Sequence, residues 1–301
     1  MPLSHWLLAF AAVFVWGTNF VAIAWGLAEL PPFLFCTLRF ALTALPWIVL
    51  VPLPNAPWRS IVSFGLLIGL GQFGLLFFAM HGYISPGLAS LLIQAQVVFT
   101  ILLALAIRKQ RIYPLQSLAL TVALLGLGMV VWHSTDQSAH AVTWMGVILV
   151  LGSALCWASA NLIVQSAGRI DVVAFLVWSA AVAVPPLIVV TALVDGVSAS
   201  LRALHSASLL AWGSVLYQSF GNTFFAFGTW NWLLGRHAAA TVAPTALLVP
   251  VIGMSSSAWL LGEPLPSWKL AAASLVLIGL AGNAYATSRA TSRVSKAPPA
   301  D

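Results

Sequence analysis

Apolar stretches of about 20 residues recur along the whole chain with hardly a charge inside them, and that is the length an α-helix needs to cross a bilayer. They fall near residues 6–26, 33–52, 60–80, 86–107, 114–132, 143–164, 171–193, 208–233, 237–261 and 267–287. Pro31-Pro32, the run from Pro52 to Pro57, Ile84-Ser85-Pro86 and the tight junction Gly235-Arg236-His237 punctuate them. Backbone N–H and C=O groups find no water in lipid, so each run must satisfy them internally, as a helix does. The expectation is an all-α integral membrane protein of ten transmembrane helices.

Composition agrees. Soluble domains carry roughly 25% charged residues; this chain carries 6%, against 61% hydrophobic. The first run, Trp6 to Gly26, has no Lys or Arg before it and is long, so it reads as a retained span rather than a signal peptide. Cys36 and Cys156 both fall inside apolar runs, as buried small hydrophobes do, and no metal site or cofactor is expected. The formal charge of +6 sits between spans rather than along a polar face, which speaks against nucleic acid as a partner.

The cations also orient the chain. With the N-terminus inside, Arg59, Arg108, Lys109, Arg111, Arg169, Arg236, Arg289, Arg293 and Lys296 are cytoplasmic, nine against the two (Arg202 and Lys269) on the other side. Cytoplasmic loops are enriched in Lys and Arg, so both termini are expected in the cytoplasm.

The chain also repeats itself. Phe73 to Ala79 (FGLLFFA) recurs as Phe220 to Ala226 (FGNTFFA), five of seven positions identical at an offset of 147 residues. Arg39 to Pro46 lines up with Trp178 to Pro185, and Trp16 with Trp157, in the same order. This divides the chain into residues 1–140, residues 141–290 and a cytoplasmic tail, 291–301. Five spans is an odd number, so the second half enters the membrane inverted. Inverted repeats are a recurring plan of secondary transporters, with the substrate site at the midplane seam.

Several segments resemble the EamA-type drug/metabolite transporters: Trp16-Gly17-Thr18-Asn19-Phe20, Arg39-Phe40, Tyr83 to Ala89, Pro250-Val251 and Leu261-Gly262-Glu263. Within that family the chain looks most like the YddG-type exporters of aromatic amino acids. It departs in having Lys109-Gln110 where the first half would repeat Gly-Glu, and Val97 opposite Pro250. The resemblance implies a bacterial inner-membrane carrier that moves small metabolites outward through a central cavity. The alternative on the same scaffold is a flippase for lipid or lipid-linked sugar. The expected partners are a small-molecule substrate and membrane lipid, the expected state a monomer or weak homodimer.

A polar side chain within a span either bonds a neighbouring helix, worth roughly 0.6 kcal/mol on average, or faces a wet cavity. The cavity candidates are Trp16 with Asn19, Trp157 with Asn161, Gln72, Gln94, Gln96, Trp178, and the stripe Tyr217, Gln218 and Asn222. On a regular helix Gln94 and Gln96 point about 200° apart, so both can hardly face one cavity. Arg39, a third of the way into its span, either binds a carboxylate or snorkels outward. His81 and Tyr83, after span three, either gate the path or cap a helix end. Pro244 and Pro250 remove two backbone donors and are hinge candidates. Every Asp and Glu lies at a span end, in a loop or in the tail, so a carboxylate proton relay has no residue to run on. The six histidines likewise occupy span ends or loops, and no phosphate-binding loop is present; neither an enzyme nor an ATP-driven pump is expected.

Overall fold

A computed structural model describes residues 1–108, 113–133, 142–166, 170–237 and 239–295. Lys109, Gln110, Arg111, Asp136, His140, Arg169, Lys296 and Asp301 lie outside these. Helices account for nearly all described residues: α1 (Leu3–Leu27), α2 (Pro32–Ala44), α3 (Trp58–Met80), α4 (Pro86–Ile107), α5 (Pro114–His133), α6 (Trp144–Ser166), α7 (Val172–Ser206), α8 (209–234), α9 (Pro244–Leu261) and α10 (Ser267–Ser295). Eight are long and apolar enough to cross a membrane; α2 is shorter and α8 more polar.

Four boundaries depart from the sequence expectation: α9 starts at Pro244 rather than at residue 237, α10 runs on to Ser295 rather than ending at residue 287, and the ends of the second and seventh spans differ as well. The second span was expected to reach residue 52, but α2 ends at Ala44, where Pro46 removes the N–H that would continue the ladder, and turns follow to Leu50. The seventh was expected to end at residue 193. Instead its helix runs on through a π-helical stretch, Thr191–Gly196, breaks at Gly196 (φ 83°) and resumes as Val197–Ser206.

The exterior is apolar. Phe10, Phe14, Leu118, Leu124, Trp132, Ile148, Leu193, Leu209, Trp259 and Ile278 are all exposed, an arrangement that only lipid can cover. Polar groups are instead drawn inward: Asn19, Arg39, Gln72, Gln94, Gln218 and Asn222 are buried. This is a multi-pass membrane protein.

Contacts between helices come in matched sets. Helix α1 packs on α9 and α8, and α6 packs on α4 and α3; α3 lies against α7, and α2 against α8. The pairs α2–α7, α4–α9 and α5–α10 close the figure. Exchanging the first five helices for the last five, in order, leaves this pattern unchanged. Close approaches make the tightest seams. Gly69 leaves only 2.5 Å for a methyl beside Ala183, joining α3 to α7, and Gly279 leaves 2.5 Å beside the Ala123 nitrogen, joining α10 to α5.

Cross-links fix which ends lie together. At one end His5 Nδ1 and His237 Nε2 are 2.7 Å apart, the Trp178 indole donates to the Val51 carbonyl (3.2 Å), and Gln116 donates to Asn283 (3.1 Å). At the other, Ser208 donates through N–H (2.7 Å) and hydroxyl to Glu29, Leu34 N–H donates to Asp195 (2.7 Å), and Glu263 holds Ser85, Gly87 and Lys269. Ser208 keeps the Glu29 carboxyl below its ordinary range, its hydroxyl contributing more than its N–H.

Candidate functional site

A cavity of about 590 Å³ runs between α1, α2, α3, α4, α6, α7, α8, α9 and α10. Its wall reaches the end at which α6 stops and α7 starts, through Val164, Gln165, Ile170, Val172 and Leu234. None of the residues tied together at the Glu29–Glu263 end lines it.

Local backbone irregularity shapes this space. Helix α3 is π-helical over Leu67–Gly74, up to the start of its repeated segment, and α8 over Tyr217–Phe227, which contains the matching one. Such widened turns shift the helical register and turn side chains the regular spiral would hide. Gln72 comes from the first and Asn222 with Thr223 from the second, all on the cavity wall. In α4 the chain stops being helical at Ile93-Gln94, with tightened bonds from Gln94 N–H to Leu91 and from Gln96 N–H to Ile93. Because the helix restarts at Ala95, the 200° rule does not carry across, and Gln94 and Gln96 both reach the cavity.

Of the sequence candidates, Trp16, Asn19, Arg39, Gln72, Gln94, Gln96, Trp157, Asn161 and Asn222 line this one space. Asn161 Nδ2 donates to Gln96 Oε1 (3.1 Å), and both also face an adjoining polar chamber of about 330 Å³ with Thr100, Gln116 and Asn283. Gln218 is fully buried beside it, donating to the Asn19 carbonyl (3.4 Å) and accepting from Asn222 Nδ2 (3.3 Å), so it braces the wall. Tyr217 is 2.6 Å from the Thr18 hydroxyl and donates to the Val15 carbonyl (3.1 Å), tying α8 to α1. Trp178, Pro244 and Pro250 are not on the wall, and Pro250 is buried within α9. His81 is exposed after α3 at the far end, and the Tyr83 carbonyl accepts from the Thr143 N–H and hydroxyl.

The wall is mostly apolar and aromatic, with Phe20, Phe40, Phe64, Phe73, Phe227 and Trp230 prominent. Among the described residues lining it, Arg39 carries the only formal charge. The residue is 2% exposed, and its guanidinium lies 3.5 Å from the Phe73 ring centroid and donates from Nη2 to Thr223 Oγ1 (3.1 Å). Nε and Nη1 have no partner, nor do the buried Trp16 Nε1, Asn19 Oδ1 and Ser179 Oγ.

The sequence model of the EamA-like transporter family matches residues 3–132 and again residues 144–285. The chain belongs to the EamA-like transporter family. Among its relatives, a "Probable amino-acid metabolite efflux pump" of Salmonella typhimurium is 37% identical over 96% of this chain and 97% of its own. A protein of the same description from Escherichia coli K12 is 35% identical over 93% and 94%. The "Uncharacterized transporter YoaV" of Bacillus subtilis is 24% identical over 91% of this chain and 94% of its own. A solved crystal structure superposes with a TM-score of 0.61 over 98% of this chain and all of that one, at 20% identity, a likeness of fold.

In this EamA-like chain the quoted segments fall in two places. Trp16, Asn19 and Arg39-Phe40 are on the cavity wall. Ser85, Gly87 and Glu263 are joined at the far end, where the Glu263 carboxylate accepts from Ser85 Oγ and Gly87 N–H (2.8 Å) and pairs with Lys269 (2.9 Å). Sequence reasoning missed Ser179, Thr223, Asn231 and Asn283. Ser and Thr within apolar runs bond their own helix so readily that nothing in the run marks them, and the two asparagines lie near span ends, where polarity is ordinary.

Proposed function

We propose that this EamA-like protein is a bacterial inner-membrane exporter of small organic metabolites, chiefly neutral and aromatic amino acids with related aromatic compounds. It works by alternating access. Ten crossings form two inverted five-helix repeats, residues 1–140 and 141–290, with both termini cytoplasmic. Trp16, Asn19, Trp157, Asn161 and the glutamines contact the solute. Transport is the protein's role, and no bond is made or broken in it.

The observation that carries this reading is one cavity on the seam between matched helix sets, reaching one end while the other is clasped. The twofold match of the family model and the exchangeable contact pattern support the repeat. Arg59, Arg236 and Arg289 sit toward the ends of α3, α8 and α10 to which the cavity extends, and the positive-inside rule supports reading that end as cytoplasmic. The relatives' description supports amino-acid metabolites as cargo. Indole walls beside amide groups offer stacking and hydrogen bonds together, which suits a partly aromatic solute.

Flux runs down the solute gradient, coupled through His81 if at all. The test is counterflow of labelled phenylalanine and leucine in liposomes holding purified protein. Saturable exchange without a proton gradient is expected. Exchange that needs a proton gradient and survives replacement of His81 contradicts the uncoupled mechanism, and lipid scrambling without amino acid flux contradicts the exporter.

A further inference from the structure

The cavity holds a fixed positive charge with no fixed negative charge to meet it. A guanidinium carries five N–H donors, and leaving them idle in a buried site is costly. Arg39 has Thr223 on Nη2 and the Phe73 face beneath it, and nothing on Nε or Nη1. No described Asp or Glu lines the cavity. The hydroxyl of Ser219 bonds the Arg39 carbonyl and leaves the side chain alone. If Arg39 only joined α2 to α8, an uncharged side chain would serve without the cost of burying an ion.

We propose that Arg39 determines specificity by holding the carboxylate of the transported solute, so the carrier accepts solutes with a free carboxylate and rejects their amides, esters and decarboxylated amines. This deepens the transport reading and rests on it. The orphan groups match a zwitterion: donors on Arg39 and Trp16 for the carboxylate, and the Asn19 Oδ1 acceptor for the ammonium. Asn19 and Arg39 are both anchored to one π-helical stretch of α8, through Gln218 and Thr223. An amine without a carboxylate would bring a second positive charge beside Arg39 in a site of low dielectric, where like charges repel strongly. Aromatic cations are therefore excluded despite the aromatic walls.

The wild-type protein in liposomes tests this by competition against labelled phenylalanine, and in detergent by quenching of its own tryptophans, three of which (Trp16, Trp157 and Trp230) line the cavity. Phenylalanine and 3-phenylpropionate should compete. Phenylalaninamide, the methyl ester and phenethylamine should be weaker by roughly tenfold to a hundredfold, the worth of a hydrogen bond to a charged group. Arg39→Gln should weaken phenylalanine and, by removing the like charge, leave the amide bound no more weakly than in the wild type, so that acid and amide converge, and Arg39→Lys should keep part of the discrimination. Equal competition by acid and amide in the wild type overturns the assignment while the transport reading stands, and needs no variant to fold. Equal weakening of both by Arg39→Gln, in protein that remains monodisperse, also overturns it. No saturable binding or flux of any solute overturns both.

Discussion

Glu263 works at three helix ends at once. Gly262, in the left-handed conformation (φ 67°), ends α9 and turns the chain so that the carboxylate meets the first turn of α4, where backbone N–H groups lack helical partners. Lys269, 1% exposed at the start of α10, completes the contact. Removing one partner of such a buried pair strands the other, which costs about 3–5 kcal/mol. Glu263→Gln is expected to lower the detergent melting temperature clearly, and the double change Glu263→Met with Lys269→Met to recover much of it. The other end offers a pH-dependent contact. Burial, then His5, the N-terminal ammonium and Arg236, hold the His237 imidazole below its ordinary pKa of 6.5. The neutral form is thus the one the fold favours, so the α1–α8 contact should be complete above that value and weaken as pH falls below it. A fluorophore near residue 5 should report this between pH 7 and 5, and His237→Gln should flatten the curve. Residue identity foretold much at this scale. Trp16, Asn19, Trp157 and Asn161 are all on the wall. It could not separate Gln218 from Asn222, four residues apart on one stripe, because one finds a backbone partner across the seam and the other does not.

Among the elements, α5 and α10 share the most extensive contact. A methyl on Gly126 would stand 2.7 Å from the Ala272 oxygen, and one on Gly279 2.6 Å from the Ala119 oxygen, both backbone atoms that cannot swing aside. Gly128, two residues from Gly126, has open space around it. Gly126→Leu and Gly279→Leu are therefore expected to destabilise by roughly 1–3 kcal/mol or more, as overpacking does. Gly128→Leu should be silent in the same melting assay. Spans were legible because hydrocarbon thickness sets their length. Three of the departures share one cause: backbone that leaves the regular helix. Pro46 cuts α2 short, Gly196 bends α7 into a further helix, and the break at Ile93-Gln94 brings together two side chains that regular periodicity sets apart. Hydropathy is blind to such events, since the residues on either side are equally apolar.

For the molecule as a whole, the rocking of one half on the other that we propose needs a place that stays shut. The α5–α10 seam, with backbone meeting backbone, is the natural one, because packed interiors resist sliding. After replacement of Cys36 and Cys156, a disulfide between cysteines placed at Ala119 and Gly282, whose β-carbons at 3.1 Å must ease apart by a few tenths of an ångström to reach the usual spacing of about 3.5–4.5 Å, should leave counterflow intact. Blocked flux would mean that this seam moves. The proposed repeat rests in the sequence on a handful of matched residues; the cavity left no such trace, since it depends on how helices tilt and where their spirals loosen. Each half lends a glycine to the α5–α10 contact, Gly126 from one and Gly279 from the other. A gene cut between the codons for residues 133 and 142 should thus yield two pieces that find each other when made together, while either one alone would leave a backbone-deep trench for lipid to fill.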